Sequence, residues 1–578
     1  MKRACLLALL CAACPADPRG LCSIDADCAS GAAGSFCADG ICQGPPRGNV
    51  EPLSRAYARG ETLHVRAHVD RAHGTATARV VFGGVAVEAA PDPDGALGAD
   101  VPLSLAPASV EGPVPFSVEL RDDLGHVTAL PASVVVDDLA PRLSVDPSTV
   151  PASPILRGTK LTVRVTAQDL GAVTIEGATK NADRSFAVPI DTRSAPPAAT
   201  TWDVAIKATD AVGNSSTTHA AVSITRLRFR ALTDPVASLV LSNDEIYALV
   251  TANELWAGDR NGYEINRTTA GGTVFPQLAT DGIVVFFART DNAICRLDTQ
   301  ACKGPYATLS GGPILLESVP VVATTGTGIY SSRFLAWNDA GVQPTSVLAD
   351  FGATSPAIAP DGTIYAGAVQ NVAADFFDGI VWQPPQVTTE TPHYVGAPAF
   401  RGNTMLLSTT SATLDTFAIP IQGAPSTITV AGTGTTITAP TVAADGTAVV
   451  ATDDRHLVAL RPDNSIRWTV SLPDQATAPP TQGANDLVYL GTAGGDILAI
   501  SLDDGSTVWS FSAGAPVRGP LAPGCDQTLY AATDSGIVAL AIDAPGLADS
   551  LWPMAAHDVR GTGDSRRPLK SATGGCLE

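Results

Sequence analysis

Aromatic side chains, charged side chains and positive charge are all scarce in this sequence. Aromatic residues make up 5% and charged residues 16% of the 578 positions, which is too little charge for a disordered or coiled-coil chain. The 36 basic residues are outnumbered by 57 acidic ones, giving a net charge of −21. A chain with this balance repels phosphate backbones, so DNA and RNA are excluded as expected partners.

Several sequence signatures of membrane spans and of catalysis are also missing. Past the N-terminus no run of 18 apolar residues occurs, so no transmembrane helix is expected there. The sequence contains no C-x-x-C-H haem motif, no G-x-S-x-G nucleophile motif and no P-loop. These absences argue against a covalently bound haem, a hydrolase of that class and a P-loop nucleotide enzyme.

Turn-forming and small apolar residues are abundant instead. The chain is 45% hydrophobic and contains 53 Gly and 44 Pro, a mixture typical of short strands joined by turns. The composition therefore predicts an all-β protein. A length of 578 residues predicts three or four domains, because single cores stop growing near roughly 250 residues.

The N-terminus predicts export. Residues 1–13 combine a basic start with a short apolar stretch, which is typical of a signal peptide. Residues 11–14 (CAAC) resemble the lipobox of bacterial lipoproteins and predict Cys14 as the lipidated residue, so that contact with the membrane is through a lipid anchor alone. Pro15 follows where Asp would signal inner-membrane retention, which predicts an outer-membrane or cell-surface lipoprotein. The alternative is ordinary cleavage, giving a periplasmic or secreted soluble protein.

Eight cysteines remain after the signal peptide and Cys14, and an even number in an oxidising compartment predicts disulfides. The first four predict a two-disulfide knob within residues 14–48, with connectivity left open and a metal site as the alternative. A third pair would clip a hairpin and a fourth would tie the C-terminal tail, with reduced thiols as the alternative for both. The candidates, in these groups, are Cys22, Cys28, Cys37 and Cys42, then Cys295 and Cys302, then Cys525 and Cys576.

Short runs of alternating apolar and polar residues fill residues 49–140 and 141–225. Such runs over stretches of this length predict one β-sandwich in each range. Residues 209–214 (TDAVGN) resemble the end of a bacterial immunoglobulin-like domain, which implies spacer modules. His64, His68 and His73 form a local cluster, but a solvent-facing polar stripe explains them better than a metal site. The sequence predicts no metal-ligating residue.

A repeat begins near residue 235, where proline opens an apolar run at intervals of 41, 44, 36, 42, 42, 40 and 40 residues. A period near 40 is typical of four-stranded propeller blades, and proline is tolerated at the start of a strand. Residues 226–565 are thus predicted to form an eight-bladed β-propeller, with a tail over 566–578 and with residues 226–231 completing the last blade. The eight prolines are Pro235, Pro276, Pro320, Pro356, Pro398, Pro440, Pro480 and Pro520.

The later repeats resemble the pyrroloquinoline-quinone-like (PQQ-like) β-propeller repeat family, which includes both quinoprotein dehydrogenases and cofactor-free binding proteins. Residues 496–500 (DILAI), Trp509 and the closing segment 552–563 carry the resemblance. The dehydrogenases use an adjacent Cys-Cys disulfide, and no adjacent cysteines occur here. Asp453-Asp454 and Asp503-Asp504 are interpreted as turn residues at equivalent repeat positions. No catalytic residue, cofactor-binding residue or cofactor is therefore predicted.

The predicted fold is all-β, with an eight-bladed β-propeller preceded by two immunoglobulin-like β-sandwiches and a small disulfide-rich segment. The predicted function is a non-enzymatic cell-envelope lipoprotein, monomeric, whose propeller binds an envelope or surface protein, or a glycan. From residue 228 onward 33 acidic residues face 17 basic ones, which favours a neutral, basic or cation-bridged partner. The alternatives are a PQQ-dependent oxidoreductase and a surface adhesin that acts through the sandwiches.

Overall fold

The structure is a computed structural model. It describes residues 22–28, 35–107, 112–304, 308–325, 334–338, 341–344, 354–367, 372–375, 386–387, 394–421, 424–430 and 437–578. The predicted signal peptide over 1–13 and the predicted lipidation site Cys14 lie outside these residues. The chain forms two compact units. The first comprises Met1–Pro151, Leu161–Ile190 and Asp203–Val222, and the second comprises Ala152–Lys160, Asp191–Trp202 and Ser223–Glu578.

The described residues form an all-β structure, as the composition predicts. Their helices are short 3-10 turns, at Asp25–Cys28, Leu103–Leu105, Pro147–Thr149 and Thr192–Ser194. None of the helices in the described ranges has the length and apolar character needed to cross a bilayer.

The first unit begins with a small disulfide-linked hairpin of Phe36–Ala38 and Ile41–Gln43. Two sheets follow and share one core, because apolar and polar residues alternate along their strands: Leu63, Val65 and Ala67 are buried, whereas His64 between them is exposed. One sheet contains, in spatial order, Arg47–Val50, Thr62–Arg71, Leu97–Pro102 and Ala90–Pro91. The other contains Ala56–Tyr57, Val127–Val136, Gly112–Arg121, Thr77–Phe82 and Val85–Glu88.

A second pair of four-stranded sheets follows along the chain. One contains Arg142–Val145, Lys160–Gln168, Phe186–Asp191 and Thr179–Lys180 in spatial order. The other contains Ile155–Leu156, Ser215–Thr225, Thr201–Thr209 and Thr174–Ile175. Both sheets bury alternate residues, such as Val163 and Val165 in the first and Ala220 and Val222 in the second, as expected of sheets with one apolar face.

From residue 227 onward, the described strands form eight further sheets, numbered here in chain order. Sheet 1 contains Val236–Ser242, Glu245–Val250, Glu254–Asp259 and Glu264–Thr269, and sheet 2 contains Val274–Thr280, Val285–Arg289, Ile294–Arg296 and Cys302–Lys303. Sheet 3 contains Thr308–Leu309, Val319–Thr325, Phe334–Asn338 and Gly341–Pro344, and Ile314–Leu316 also pairs with Val319–Thr325. Sheet 4 contains Ala357–Ile358, Ile364–Gly367, Val372–Asp375 and Gln386–Val387.

Sheets 5 to 8 repeat the same order, except that sheet 8 gains a strand from earlier in the chain. Sheet 5 contains Tyr394–Arg401, Thr404–Thr409, Thr413–Ala418 and Ser426–Thr429, and sheet 6 contains Thr441–Val442, Ala448–Ala451, His456–Leu460 and Ile466–Ser471. Sheet 7 contains Thr481–Gln482, Leu487–Gly491, Asp496–Ser501 and Thr507–Ser512. Sheet 8 contains Val517–Pro523, Thr528–Thr533, Gly536–Ala541 and the earlier strand Leu227–Ala231.

Two kinds of contact connect these sheets. The strand Val236–Ser242 of sheet 1 contacts both Val274–Thr280 of sheet 2 and Val517–Pro523 of sheet 8. Leu227–Ala231 pairs antiparallel with Gly536–Ala541, so this basic-apolar strand joins the last of the eight sheets, where it was expected. The first and last sheets are therefore held together by contacts between their first strands, and a strand from the N-terminal side of the repeats pairs with the last sheet.

Neighbouring sheets pack through alternate faces of the same strand. In sheet 7, Val488 and Leu490 join a core with Val449 of sheet 6, whereas Tyr489 joins a core with Leu540 of sheet 8. A strand of period two presents successive side chains to opposite faces, so each middle strand has apolar residues on both sides. This explains why the strands read as continuous apolar runs.

Seven of the eight predicted prolines lie in or directly before the first strand of a sheet. Pro320 does not, because it lies in Val319–Thr325, which pairs with the earlier strand Ile314–Leu316. Pro313, directly before Ile314–Leu316, holds the equivalent position in sheet 3. With Pro313 in place of Pro320, the separations on either side of it are 37 and 43 residues, in place of 44 and 36.

Candidate functional site

The chain returns to the sheets after its last strand. Residues 547–565, called here the terminal segment, accept backbone hydrogen bonds from strands of six different sheets. The acceptor is in every case a carbonyl of the terminal segment and the donor a strand N–H. The pairs are Leu241 to Val559 (2.8 Å), Thr280 to Arg560 (2.9 Å), Leu315 to Thr562 (2.7 Å), Ile358 to Gly563 (2.7 Å), Val442 to Trp552 (2.7 Å) and Gln482 to Pro553 (2.7 Å).

The terminal segment carries buried polar groups. The Asp558 carboxylate accepts the backbone N–H of Arg560 (3.1 Å) and Thr562 (3.0 Å) and the Thr562 hydroxyl (2.7 Å). Burial alone would raise the pKa of Asp558, but the adjacent His557 ring and the Thr562 donors together hold that pKa below its usual value. His557 is fully buried, and its ring packs against Trp552 with centroids 5.7 Å apart. These groups fix the turn at residues 557–562.

The terminal segment leaves only a small cavity against the first strands. That cavity has a volume of about 180 Å³, below the roughly 300–1,000 Å³ of a usual small-molecule site. Its lining is largely apolar and includes Pro276, Pro356, Pro520, Trp552 and Met554. This arrangement favours a structural role for residues 552–563, which sequence analysis singled out as a closing motif.

A larger cleft of about 410 Å³ opens beside the end of the terminal segment. It is called here the basic cleft, because its charged lining residues are Arg401, Arg566, Arg567 and Asp549. The remaining lining residues are small, apolar or turn residues, namely Phe400, Gly402, Val442, Ala443, Ala444, Gly446, Ser550, Leu551, Ser565, Pro568 and Leu569. Three guanidinium groups stand against Asp549 and against Asp564, which pairs with Arg566 at 2.8 Å, so the cleft keeps an excess of one positive charge within an acidic part of the chain.

Local contacts position the three arginines differently. Arg401 donates to the Arg461 carbonyl (3.2 Å) and the Asn464 side chain (2.6 Å), and burial lowers its pKa. Arg566 makes a two-point ion pair with Asp564 (both 2.8 Å), which raises the pKa of Arg566. Among the residues that the structure describes, Arg567 forms no ion pair. Its half-buried guanidinium is therefore the cleft cation with the most capacity for an external carboxylate.

The basic cleft was not predicted from the sequence. Arg401 belongs to sheet 5, whereas Arg566 and Arg567 follow the terminal segment, so only the path of the chain brings them together. One signal was available. Arg566-Arg567 is the only adjacent basic pair between residues 228 and 578, a range with 33 acidic residues.

The eight candidate cysteines all form disulfides. The hairpin near the N-terminus contains Cys22–Cys37 and Cys28–Cys42, the connectivity that the sequence left open. Cys295–Cys302 joins two paired strands of sheet 2, and Cys525–Cys576 ties the C-terminal tail to sheet 8. Glu578 reinforces that tail, because its carboxylate accepts the backbone N–H of Cys525 (2.7 Å) and pairs with Arg260.

The aspartate pairs of sheets 6 and 7 lie in turns. Asp454 accepts hydrogen bonds from Thr452 and from His456 Nδ1 (3.0 Å), and these bonds lower its pKa. Asp504 accepts the backbone N–H (3.0 Å) and hydroxyl (2.7 Å) of Ser506, which likewise lower its pKa. Asp503 pairs with Arg467 at 2.9 Å. The geometry is that of turn stabilisation.

The three clustered histidines each contact carboxylates. His64 Nδ1 lies 2.7 Å from Asp100, and His73 Nδ1 lies 2.6 Å from Asp123. Hydrogen bonds to these carboxylates raise the pKa of both histidines. His68 Nε2 lies 2.7 Å from Glu51. Each histidine therefore has its own acidic partner, and the polar stripe is a series of histidine–carboxylate contacts.

Comparison with known proteins gives one family match. Residues 426–546 match the family described as outer membrane protein assembly factor BamB. No curated protein matches the chain in sequence. Among solved structures, BamB from Moraxella catarrhalis is 14% identical, covering 54% of this chain and 95% of that one, with a TM-score of 0.42. The computationally designed Ika8 protein is 13% identical, covering 55% of this chain and 99% of that one, with a TM-score of 0.44.

The family match covers the last strand of sheet 5, all of sheets 6 and 7, and the three strands of sheet 8 that follow them. These are the repeats in which the sequence motifs are clearest. The predicted resemblance to the PQQ-like β-propeller repeat family is thus confirmed over residues 426–546.

Proposed function

We propose that this chain is a non-enzymatic cell-envelope lipoprotein whose eight sheets are the blades of a β-propeller that binds another protein. Residues 49–140 and 141–225 would be immunoglobulin-like spacers, and Cys14 would carry the lipid. The family match supports a role in the envelope, because the matched family is described as an outer membrane assembly factor. The eight sheets of near-equal order and the strand Leu227–Ala231 support the blade count.

The basic cleft is the observation that best supports protein binding and indicates where it occurs. Its guanidinium groups favour carboxylates, since arginine donates in a fork that matches carboxylate geometry. We infer that it receives an acidic peptide segment of the partner. From residue 228 onward 33 acidic residues outnumber 17 basic ones, and three of those 17 are the cleft arginines. The rest of this range therefore repels such a segment, and recognition would depend on this cleft.

The terminal segment supports a non-enzymatic role. It uses the inner-strand N–H groups of six sheets for its own backbone bonds, and the cavity beside it holds about 180 Å³. A catalytic centre there would have to displace those bonds. The space that is left suits packing better than a cofactor-sized ligand.

The test is binding of a fluorescent Glu/Asp-rich peptide to the full-length exported protein. The variant Arg401→Glu/Arg567→Glu should lose most of the affinity, because it places two carboxylates in the cleft. The matched control is Arg518→Glu, which reverses an exposed arginine on sheet 8 that pairs with Asp534 (2.7 Å). It should bind the peptide as the wild type does.

Equal binding by the wild type and the cleft variant would refute the cleft as the binding site. Dye-linked oxidation of alcohols or sugars after addition of pyrroloquinoline quinone and Ca²⁺ would refute the non-enzymatic role. For the anchor, Cys14→Ser should move the protein from the membrane fraction to the soluble fraction. Unchanged fractionation would count against lipidation.

A further inference from the structure

Three aspartates of the first unit meet where three strands end. Asp137 follows Val127–Val136, Asp169 follows Lys160–Gln168, and Asp210 follows Thr201–Thr209. One carboxylate oxygen of each lies within 4.8 Å of those of the other two. Asp137 is 1% exposed and Asp210 is 6% exposed. Three negative charges this close, two of them buried, repel one another strongly unless a proton or a cation intervenes.

The two oxygens of the Asp210 carboxylate differ in their partners. Its Oδ1 accepts the backbone N–H groups of Val212 (2.9 Å), Gly213 (2.7 Å) and Asn214 (2.9 Å). Its Oδ2 is buried and receives no hydrogen bond from any residue in the described ranges. A buried carboxylate oxygen without a donor is suited to a positively charged ligand.

The protein already holds the three loops together around this point. The side-chain amide of Asn214 donates to the backbone carbonyl of Asp137 at 3.1 Å, and the N–H of Gly171 donates to Asp169 at 3.2 Å. A Cβ atom at Gly171 would lie 3.7 Å from Asp137 Oδ2 and 3.8 Å from Asp169 Oδ2. The carboxylates are therefore brought together by the fold and not by chance rotation of surface side chains.

We propose that Asp137, Asp169 and Asp210 bind a calcium ion. All three ligands are carboxylate oxygens, the donors that hard cations prefer, whereas zinc sites use cysteine and histidine. Calcium accepts varied geometry with six to eight oxygens, while magnesium demands a near-ideal octahedron. The ion would connect the end of strand Val127–Val136 to the two loops that follow Lys160–Gln168 and Thr201–Thr209. From the sequence, residues 209–214 were interpreted only as the end of an immunoglobulin-like domain.

The test is calcium binding to the full-length exported protein after chelation, by equilibrium dialysis with ⁴⁵Ca²⁺ and by thermal unfolding at fixed ionic strength. The wild type should bind one Ca²⁺ with a Kd in the range of about 10⁻⁴–10⁻³ M that is typical of extracellular modules. Calcium should raise the Tm of the first unit. Asp210→Asn and Asp169→Asn should each lose this binding and this Tm rise. The control is Asp203→Asn, which changes a carboxylate that is 64% exposed on the strand Thr201–Thr209. This variant should retain the calcium binding and the rise in Tm.

Calcium binding that survives both substitutions, or no binding by the wild type, would overturn the proposal. If the carboxylates share a proton and bind no calcium, the opposite result is expected. Asp210→Asn would then raise the Tm without calcium, and adding calcium would not change the Tm. If Asp210→Asn does not fold, Asp169→Asn decides the question, because the Asp169 side chain is only half-buried and its hydrogen bond from the Gly171 N–H is local.

Discussion

At the scale of single residues, the charge of Asp558 is expected to stabilise the terminal segment. Its carboxylate accepts three hydrogen bonds at 2.7 to 3.1 Å. Asp558→Asn keeps the shape and the acceptor for the two N–H groups but removes the charge. We expect it to lower the free energy of unfolding of the second unit by about 1–2 kcal/mol at pH 7. Denaturant unfolding, with Asp549→Asn as an exposed control in the same segment, measures the difference.

The effect of Asp558→Asn should depend on pH in one direction. Because the pKa of Asp558 is lower in the folded protein than in the unfolded chain, the ionised group stabilises the fold above its unfolded pKa of about 3.9. That contribution is lost as the pH falls through the folded pKa. The difference between variant and wild type should therefore stay constant from about pH 7 to pH 5 and shrink below about pH 4. A difference that grows on acidification would contradict the assignment.

At the scale of elements, the two disulfides of the second unit close loops of very different length. Cys525 and Cys576 are 51 residues apart, and Cys295 and Cys302 are 7 apart. Chain entropy in the unfolded state gives about 4 kcal/mol for the longer loop and about 2 kcal/mol for the shorter one. Replacing Cys525 and Cys576 with serine should thus lower the urea midpoint more than the same change at Cys295 and Cys302.

Glu578 makes this comparison informative. Its contacts with Cys525 and Arg260 hold the tail after the disulfide is removed, so the folded state should change little. The decrease in the urea midpoint would then measure mainly the effect of the disulfide on the unfolded chain. Equal midpoints for the two double-serine variants would show that native contacts, not loop length, set the contribution.

Sequence predicted those elements that carry their own local pattern. Leu227–Ala231 alternates basic and apolar residues, and the structure pairs it with sheet 8 as expected. Pro320 was expected to begin the first strand of its repeat, but in sheet 3 the short strand Ile314–Leu316 precedes it. The spacing of prolines does not show that an additional strand is present. Local turn chemistry was likewise legible at Asp454 and Asp504.

Both proposed sites escaped prediction because each is built from distant parts of the chain. Arg401 and Arg567 meet only because the terminal segment returns to sheet 5 and sheet 6 after the last strand. Asp137, Asp169 and Asp210 come from three strand ends. Periodicity identifies strands, but it does not identify which strand ends or loops become neighbours. Residue type also did not indicate either site, because single aspartates and arginines are common in turns and on surfaces.

At the scale of the whole molecule, stability and peptide binding should respond to salt in opposite directions. The chain has a net charge of −21, and self-repulsion of that size opposes the compact state. Raising the ionic strength from 0.01 to 0.15 M shortens the Debye length from about 30 to about 8 Å. We therefore expect the Tm to rise with NaCl in the presence of a chelator, because repulsion between unpaired acidic groups is screened.

The same screening should weaken binding of the Glu/Asp-rich peptide to the basic cleft, because that attraction depends on Arg401, Arg566 and Arg567. Both quantities are measured across one NaCl series and repeated in KCl, since screening depends on ionic strength and not on which monovalent cation is used. Sulfate is avoided because it strengthens burial of apolar surface and would raise the Tm for another reason.

A peptide Kd that is insensitive to salt would mean that apolar contacts, not the arginines, hold the peptide. A Tm insensitive to salt would mean that ion pairs such as Arg467–Asp503 already neutralise the acidic surface locally.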